Sequence, residues 1–156
     1  MRRISWPLWK RRLQGYKHLA ALERFVRRAQ RDLRPAALIL FGSLARGDYY
    51  HHSDADICVI LDTPSIEFFV GYDRVARLDP EGIVQPVVFG TKQFLEQLAH
   101  ANALALEICH DGIALAGREE YLHQVALRFA RIRRRYTKTA TGWIRTPSQR
   151  PSYMKS

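Results

Sequence analysis

Apolar residues recur along the chain with two different periods. Between Lys17 and Leu33 they fall at Leu19, Leu22, Val26, Ala29 and Leu33, the three-four spacing of an amphipathic helix whose other face carries Arg24, Arg27, Arg28 and Arg31. Pro35 ends that helix, because it lacks an N–H and restricts the residue before it. Two unbroken apolar runs follow, Ala36 to Phe41 and Ile57 to Leu61, which predict strands of a sheet covered on both faces. Between them lies Gly42 to Asp56, rich in Gly, Ser and Asp, with a short helix predicted over Leu44 to Gly47. Pro64 and Ser65 open a helix from about Ile66 to Leu78, and Asp79-Pro80-Glu81-Gly82 turns into a third strand, Ile83 to Phe89. Pro86 within that strand argues for an edge position or a bulge.

Gly90-Thr91 begins a helix with Phe94, Leu95 and Leu98 inward, and a further helical segment covers about Ala101 to Cys109. Gly112 to Gly117 reads as a short strand or loop. A last helix from about Arg118 sets Leu122, Val125, Phe129, Ile132 and Tyr136 at the spacing of the first. Periodicity stops there. Residues 137–156 are polar and basic and predict a mobile tail, with Trp143 and Ile144 as docking points. Strands and helices in this order predict one α+β domain over residues 1–156, with its core at about 17–136.

The 156 residues can bury a core that needs neither disulfides nor a structural metal. Cys58 and Cys109 both sit in apolar stretches and read as reduced, buried thiols. No run approaches the roughly 18 apolar residues of a membrane span. Met1-Arg2-Arg3 leads to Trp6, Pro7 and Lys10 rather than to an apolar signal core. The expectation is a soluble cytoplasmic protein.

A formal charge of +10 changes the picture through its distribution. Residues 1–34 hold eleven Lys/Arg against two acids and residues 128–156 hold nine against none, whereas residues 35–127 hold five against thirteen. An acidic centre between basic ends suits a cation-collecting site flanked by surfaces for nucleic acid or an acidic protein. Solvated basic helices would show the same pattern.

The chemistry concentrates in Phe41-Gly42-Ser43-Leu44-Ala45-Arg46-Gly47-Asp48 and Ser53-Asp54-Ala55-Asp56-Ile57. Residues two apart on a strand point the same way, so Asp54 and Asp56 present two carboxylates to one face. Two such anions repel unless a cation lies between them. Mg²⁺ suits the pair, since one or two carboxylates commonly hold it while water and phosphate oxygens fill its other positions. The Gly42-Ser43 turn can aim backbone N–H groups and a hydroxyl at a phosphate, and Arg46 adds a fixed charge. Either half alone is common in sequences; the pair, with ten residues between Ser43 and Asp54 and a strand on each side, is hard to explain as packing. His51-His52 reads as exposed loop rather than extra metal ligands, because Mg²⁺ prefers oxygen. Tyr49 and Tyr50 could stack on a base or pack at the sheet edge.

This arrangement, Gly42-Ser43 then Asp54-x-Asp56 with Ala45-Arg46-Gly47 inside and Ser53 before the first Asp, resembles the signature of the minimal nucleotidyltransferases of the DNA polymerase beta superfamily. The likeness is sharp over about Leu38 to Leu61 and looser through Ile83 to Phe89 and Gly112 to Gly117. It implies a small mixed sheet packed by helices, and transfer of a nucleoside monophosphate from an NTP to a hydroxyl, with AMP from ATP the expected transfer here. It also implies roles: Gly42 and Ser43 hold the triphosphate, Arg46 supports it, and Asp54 and Asp56 are the catalytic Mg²⁺ ligands. Active members add a third carboxylate on the third strand. Here the facing positions are Ile83 and Gln85, or Val84, and none is acidic. Glu81 has the right parity but precedes the strand. Either Glu81 swings in as a third ligand, or another residue or a partner supplies the group, or turnover is poor.

Small chains of this kind resemble the antitoxin half of two-gene toxin systems, whose partner is a helical HEPN ribonuclease modified on a tyrosine. Transfer to a small molecule such as an aminoglycoside fits less well, since the chain leaves little room to enclose a drug. A third reading is a weakened transferase fold that binds nucleotide, or RNA through its basic ends, for regulation.

Overall fold

The computed structural model of the chain describes residues 2–3 and 6–147. In chain order its elements are β1 (Arg2–Arg3), α1 (Trp6–Arg12), α2 (Leu19–Leu33), β2 (Ala37–Phe41), α3 (Gly42–Arg46), β3 (Ala55–Leu61) and α4 (Phe68–Ala76). They continue with β4 (Val84–Gly90), α5 (Thr91–Ala99), α6 (Ala103–Asp111), β5 (Ile113–Gly117), α7 (Glu119–Arg133), β6 (Tyr136–Thr139) and β7 (Gly142–Arg145). Five strands form one mixed sheet in the order β1-β5-β2-β3-β4. β2 runs antiparallel to both β3 and β5, while β3 pairs with β4, and β1 with β5, in parallel. The α+β class and the helix-packed mixed sheet are as the sequence implies.

The apolar runs that lack alternation are buried on both faces. Leu38 and Leu40 of β2 join Ile57 and Val59 of β3 in a cluster closed by Trp9, Leu22, Phe25 and Val26 from the N-terminal helices. Ile39, Cys58 and Ile60 point the other way, into a second cluster with Phe94, Leu98, Ile108, Val125 and Phe129 from α5, α6 and α7. Both cysteines are free and fully buried, and burial pushes the thiol of Cys109 up to about 12.

Local chemistry sets the element ends. At the end of α2 Pro35 disfavours the right-handed conformation at Arg34, which takes a left-handed cap at φ 43°. The Glu67 carboxylate accepts the amides of Phe69 and Val70 at the start of α4. Pro86 sits on β4, the last strand of the sheet, where a missing N–H leaves no internal ladder bond unmade. The Asp79 carboxylate accepts from Ile83 N at 3.1 Å and Val84 N at 2.9 Å, which further blunts that edge.

Two segments depart from expectation. Trp9, Leu13 and Tyr16, N-terminal to the expected core, are buried in the first cluster. Tyr136, expected on the last helix, lies beyond the end of α7 at Arg133, and with residues 137–145, expected as the start of a mobile tail, it forms the β6–β7 hairpin, in which Trp143 packs partly buried against the second cluster. Two four-residue strands are too short to show a period, but Thr137, Thr139 and Ile144 favour extended backbone and Gly142 supplies φ 144° after the turn. The rest of the expected tail, residues 148–156, lies outside the described residues. Among the described residues no helix is long and apolar enough to cross a membrane.

Phe94 is fully buried between sheet and helices. Truncation to Ala is expected to cost about 3–5 kcal/mol, read as a lowered urea midpoint with an unchanged m-value.

Candidate active site

Antiparallel pairing of β2 with β3 places Phe41 opposite Asp56, so the turn that leaves β2 begins beside the carboxylates that lead into β3. Gly42 takes φ 71°, in the left-handed region, and its backbone lies against the Asp56 side chain. A Cβ at Gly42 would fall 3.1 Å from Asp56 Cγ and closer still to Oδ2. Glycine is therefore required twice, by the dihedral and by the approach of the carboxylate.

Asp56 is half-buried and Asp54 exposed, and Gln85 on β4 is registered beside Asp56. Gln85 Nε2 donates to Asp54 Oδ2 at 3.3 Å. The third-strand position nearest the pair thus offers a neutral donor. Glu81 is held elsewhere: Arg24 of α2 donates to its Oε1 from Nη2 at 2.6 Å and from Nε at 3.1 Å. Among the described residues no group of three or more His, Cys, Asp and Glu could hold a metal ion. The corner brings together two carboxylates and not Glu81.

The donor set still fits a hard divalent cation. Burial, then the nearby charge of Asp54, raises the Asp56 carboxyl above its ordinary value, and Arg46 only partly offsets this. That repulsion is what a cation between the two groups would relieve, leaving its other positions for water and phosphate oxygens.

Ser43 and Arg46 lie on α3, the single short turn of helix that begins at Gly42. Ser43 is half-buried, and its carbonyl accepts from Gly47 N at 2.8 Å and Asp48 N at 3.2 Å, closing α3 with Gly47 in a left-handed cap. Arg46 Nε donates to Asp48 Oδ2 at 3.2 Å, and Nη1 donates to Asp111 Oδ2, at the end of α6, at 3.1 Å.

A tyrosine pins the loop between turn and carboxylates. The Tyr16 hydroxyl donates to the carbonyl of Ser53, directly before Asp54, at 2.5 Å, and its ring meets Tyr49 edge-on. Burial, followed by the charges of Asp54 and Asp79, pushes Tyr16 up to about 12, so it stays a donor at neutral pH. His51 and His52 are exposed; Tyr50 stacks on His52, while Tyr49 packs inward. The sequence marks Gly42, Ser43, Arg46, Asp54 and Asp56, which share this corner. Tyr16 and Asp111 are absent from that reading, since each reaches the corner by a tertiary contact with no local motif.

Residues 21–102 match the family model described as a nucleotidyltransferase domain. A solved protein of Sulfolobus solfataricus assigned to the nucleotidyltransferases is similar in fold, with a TM-score of 0.51 and 20% identity over 70% of this chain and 89% of that one. A toxin–antitoxin structure with AMP-PNP is similar at a TM-score of 0.53 and 20% identity, over 72% of this chain and 86% of that one. No protein of curated function matches the sequence significantly.

Because the folded state raises the Asp56 carboxyl, it binds this proton more tightly than the unfolded chain does. Stability contributed there is present at low pH and lost as pH rises through the folded value. Asp56→Asn is expected to raise the neutral-pH Tm of the metal-free protein by roughly 2–5 °C and to shrink the gap as pH falls toward 4, measured by calorimetry.

Proposed function

The chain belongs to the nucleotidyltransferase-domain family, and from that premise we propose that it is a Mg²⁺-dependent enzyme moving AMP from ATP onto a hydroxyl, with a tyrosine of a helical HEPN-type partner protein as the acceptor. The observation that carries this reading is the corner where the Gly42 backbone meets the Asp56 carboxylate beside Asp54.

In this reading Gly42 and Ser43 hold the triphosphate, Arg46 supports it, and Asp54 and Asp56 hold Mg²⁺. The metal, when bound, neutralises charge on the phosphate oxygens and steadies the leaving group. The acceptor oxygen bonds to the α-phosphorus as the bridging P–O bond to the β-phosphate breaks; the electron pair leaves with pyrophosphate and the hydroxyl proton goes to solvent. Phosphoryl chemistry of this kind needs chiefly positioning and charge neutralisation. The β2–β3 register supplies the first, and the Mg²⁺ that the two carboxylates would hold, with Arg46, would supply the second.

ATP as donor is supported by the similar toxin–antitoxin structure, which holds AMP-PNP, an ATP analogue. That likeness also supports a protein partner. On opposite sides of the sheet, α2 with Arg27 and Arg31 exposed and α7 with Arg128 and Arg131 exposed each offer it a basic face. A cytoplasmic site of action suits ATP and the two free thiols.

Incubation with ATP, Mg²⁺ and a candidate helical partner, read by mass spectrometry, is expected to show one added nucleotide on the partner. Asp54→Asn and Asp56→Asn are each expected to lower the rate by about 10²–10⁴, the scale of several kcal/mol of lost charge stabilisation. Transfer that survives both substitutions would overturn the proposal.

Gln85 beside Asp54, with Glu81 tied to Arg24, favours a second reading: a catalytically weakened module that binds nucleotide or RNA. It predicts ATP binding without transfer, and RNA affinity that falls about a thousandfold between 50 and 200 mM salt. Gln85→Glu separates the two readings. A third carboxylate is expected to raise transfer and Mn²⁺ affinity about tenfold or more if the fold is a transferase short of one ligand. It leaves transfer at zero in a binding module.

A further inference from the structure

We infer that Asp111, braced by the C-terminal hairpin, is a positioning residue that sets the Arg46 guanidinium for the triphosphate of the bound nucleotide, an inference that rests on the nucleotide-binding reading above. A guanidinium carries five N–H donors in a fixed plane. In Arg46 the Nε donor goes to Asp48 and one Nη1 donor to Asp111, which leaves Nη2 and the other Nη1 hydrogen for an anion. The side chain is 45% exposed, so these remaining donors are open to a ligand.

The two carboxylates are unequal. Asp48 is 63% exposed and two residues from Arg46, so water screens it and the α3 turn lets it move. Asp111 is 8% exposed and belongs to a different helix, so it fixes the guanidinium relative to the rest of the fold. Burial alone would raise the Asp111 carboxyl, but the hydrogen bonds from His110 and Arg46 outweigh this and hold it below its ordinary value. It is an anion whenever Arg46 needs a partner.

The brace continues into the hairpin. His110 Nδ1 lies 3.0 Å from Asp111 Oδ1, and the His110 ring meets the Trp143 indole edge-on with centroids 5.4 Å apart. Trp143 Nε1 donates to Glu107 Oε1 at 3.2 Å, one turn earlier on α6, and Glu107 also pairs with Lys138 on β6. Glu107, His110, Asp111, Lys138 and Trp143 all lie beyond residues 21–102, the segment matched by the family model. The hairpin thus steadies the last turn of α6, and that turn steadies Arg46. A latch joining α3 to α6 for stability alone would show the same distances, so the test reads ligand affinity and not only folding.

The experiment measures ATP and adenosine affinities by calorimetry on the full chain in Mg²⁺, for wild type, Asp111→Asn, Asp111→Glu, Trp143→Ala, Arg46→Ala and the Arg46→Ala, Asp111→Asn double variant. Loss of a hydrogen bond between charged groups sets the expected scale: Asp111→Asn weakens ATP binding about ten- to a hundredfold. Adenosine, which has no triphosphate, stays within about twofold, Asp111→Glu recovers part of the loss, and Trp143→Ala moves the same way by a smaller factor. In the Arg46→Ala background Asp111→Asn has no further effect, because the group it positions is gone.

ATP affinity that is unchanged or tightened in Asp111→Asn overturns the inference. So does an equal loss for ATP and adenosine, or a loss that persists without Arg46. If Asp111→Asn fails to fold, Trp143→Ala carries the same prediction, and an ATP affinity equal to wild type there overturns it. Wild-type protein that binds no ATP refutes the functional reading itself and this inference with it, whereas ATP binding indifferent to Asp111 refutes this inference alone.

Discussion

The constraint on which the site depends is the approach of the Gly42 backbone to the Asp56 carboxylate across the β2–β3 register. It ties the turn that leaves β2 and the carboxylate pair to one corner, and no residue with a Cβ can replace Gly42 without moving one or the other. Much else serves that corner. The apolar residues of β2 and β3 fix the register by burying both faces of the sheet, and a slip of one residue would send Asp56 toward the cluster that holds Ile57. Tyr16 holds the intervening loop at Ser53, and Asp111 holds Arg46 from the far side.

The electrostatic layout follows the same logic. The Asp54–Asp56 pair stores repulsion in the absence of a cation, and the nearest polar neighbour on β4 is a neutral amide. Arg46 is the positive group that joins this acidic centre, and two carboxylates hold it in turn. The basic excess is concentrated in residues 1–34 and 128–156, away in sequence from the carboxylate pair, where it can bear on partners.

The central strands were legible because a strand buried on both sides leaves an unbroken apolar run, and Ala36 to Phe41 and Ile57 to Leu61 are such runs. Pro86 announced its edge by what it cannot donate. The carboxylates and the glycine turn were legible because their chemistry depends on residues close in sequence. Contributions that cross the fold were not. Tyr16 precedes the first periodic helix, and its hydroxyl reaches a carbonyl 37 residues away. The β6–β7 hairpin is too short to show a period, so Trp143 looked like a docking point on a tail rather than part of a packed unit. Glu81 kept the right parity for a third ligand, but sequence could not show that Arg24 on α2 lies within reach of it.

On the proposed nucleotidyl transfer, the α-phosphate, and not the γ-phosphate, passes to the acceptor. Parallel reactions with ATP labelled at the α- or the γ-phosphate, with Mg²⁺ and the acceptor protein, test that claim most directly. Label is expected on the acceptor from α-labelled ATP only, with the γ-label released in pyrophosphate. Label on the acceptor from γ-labelled ATP would contradict it and make the protein a kinase built on a nucleotidyltransferase fold.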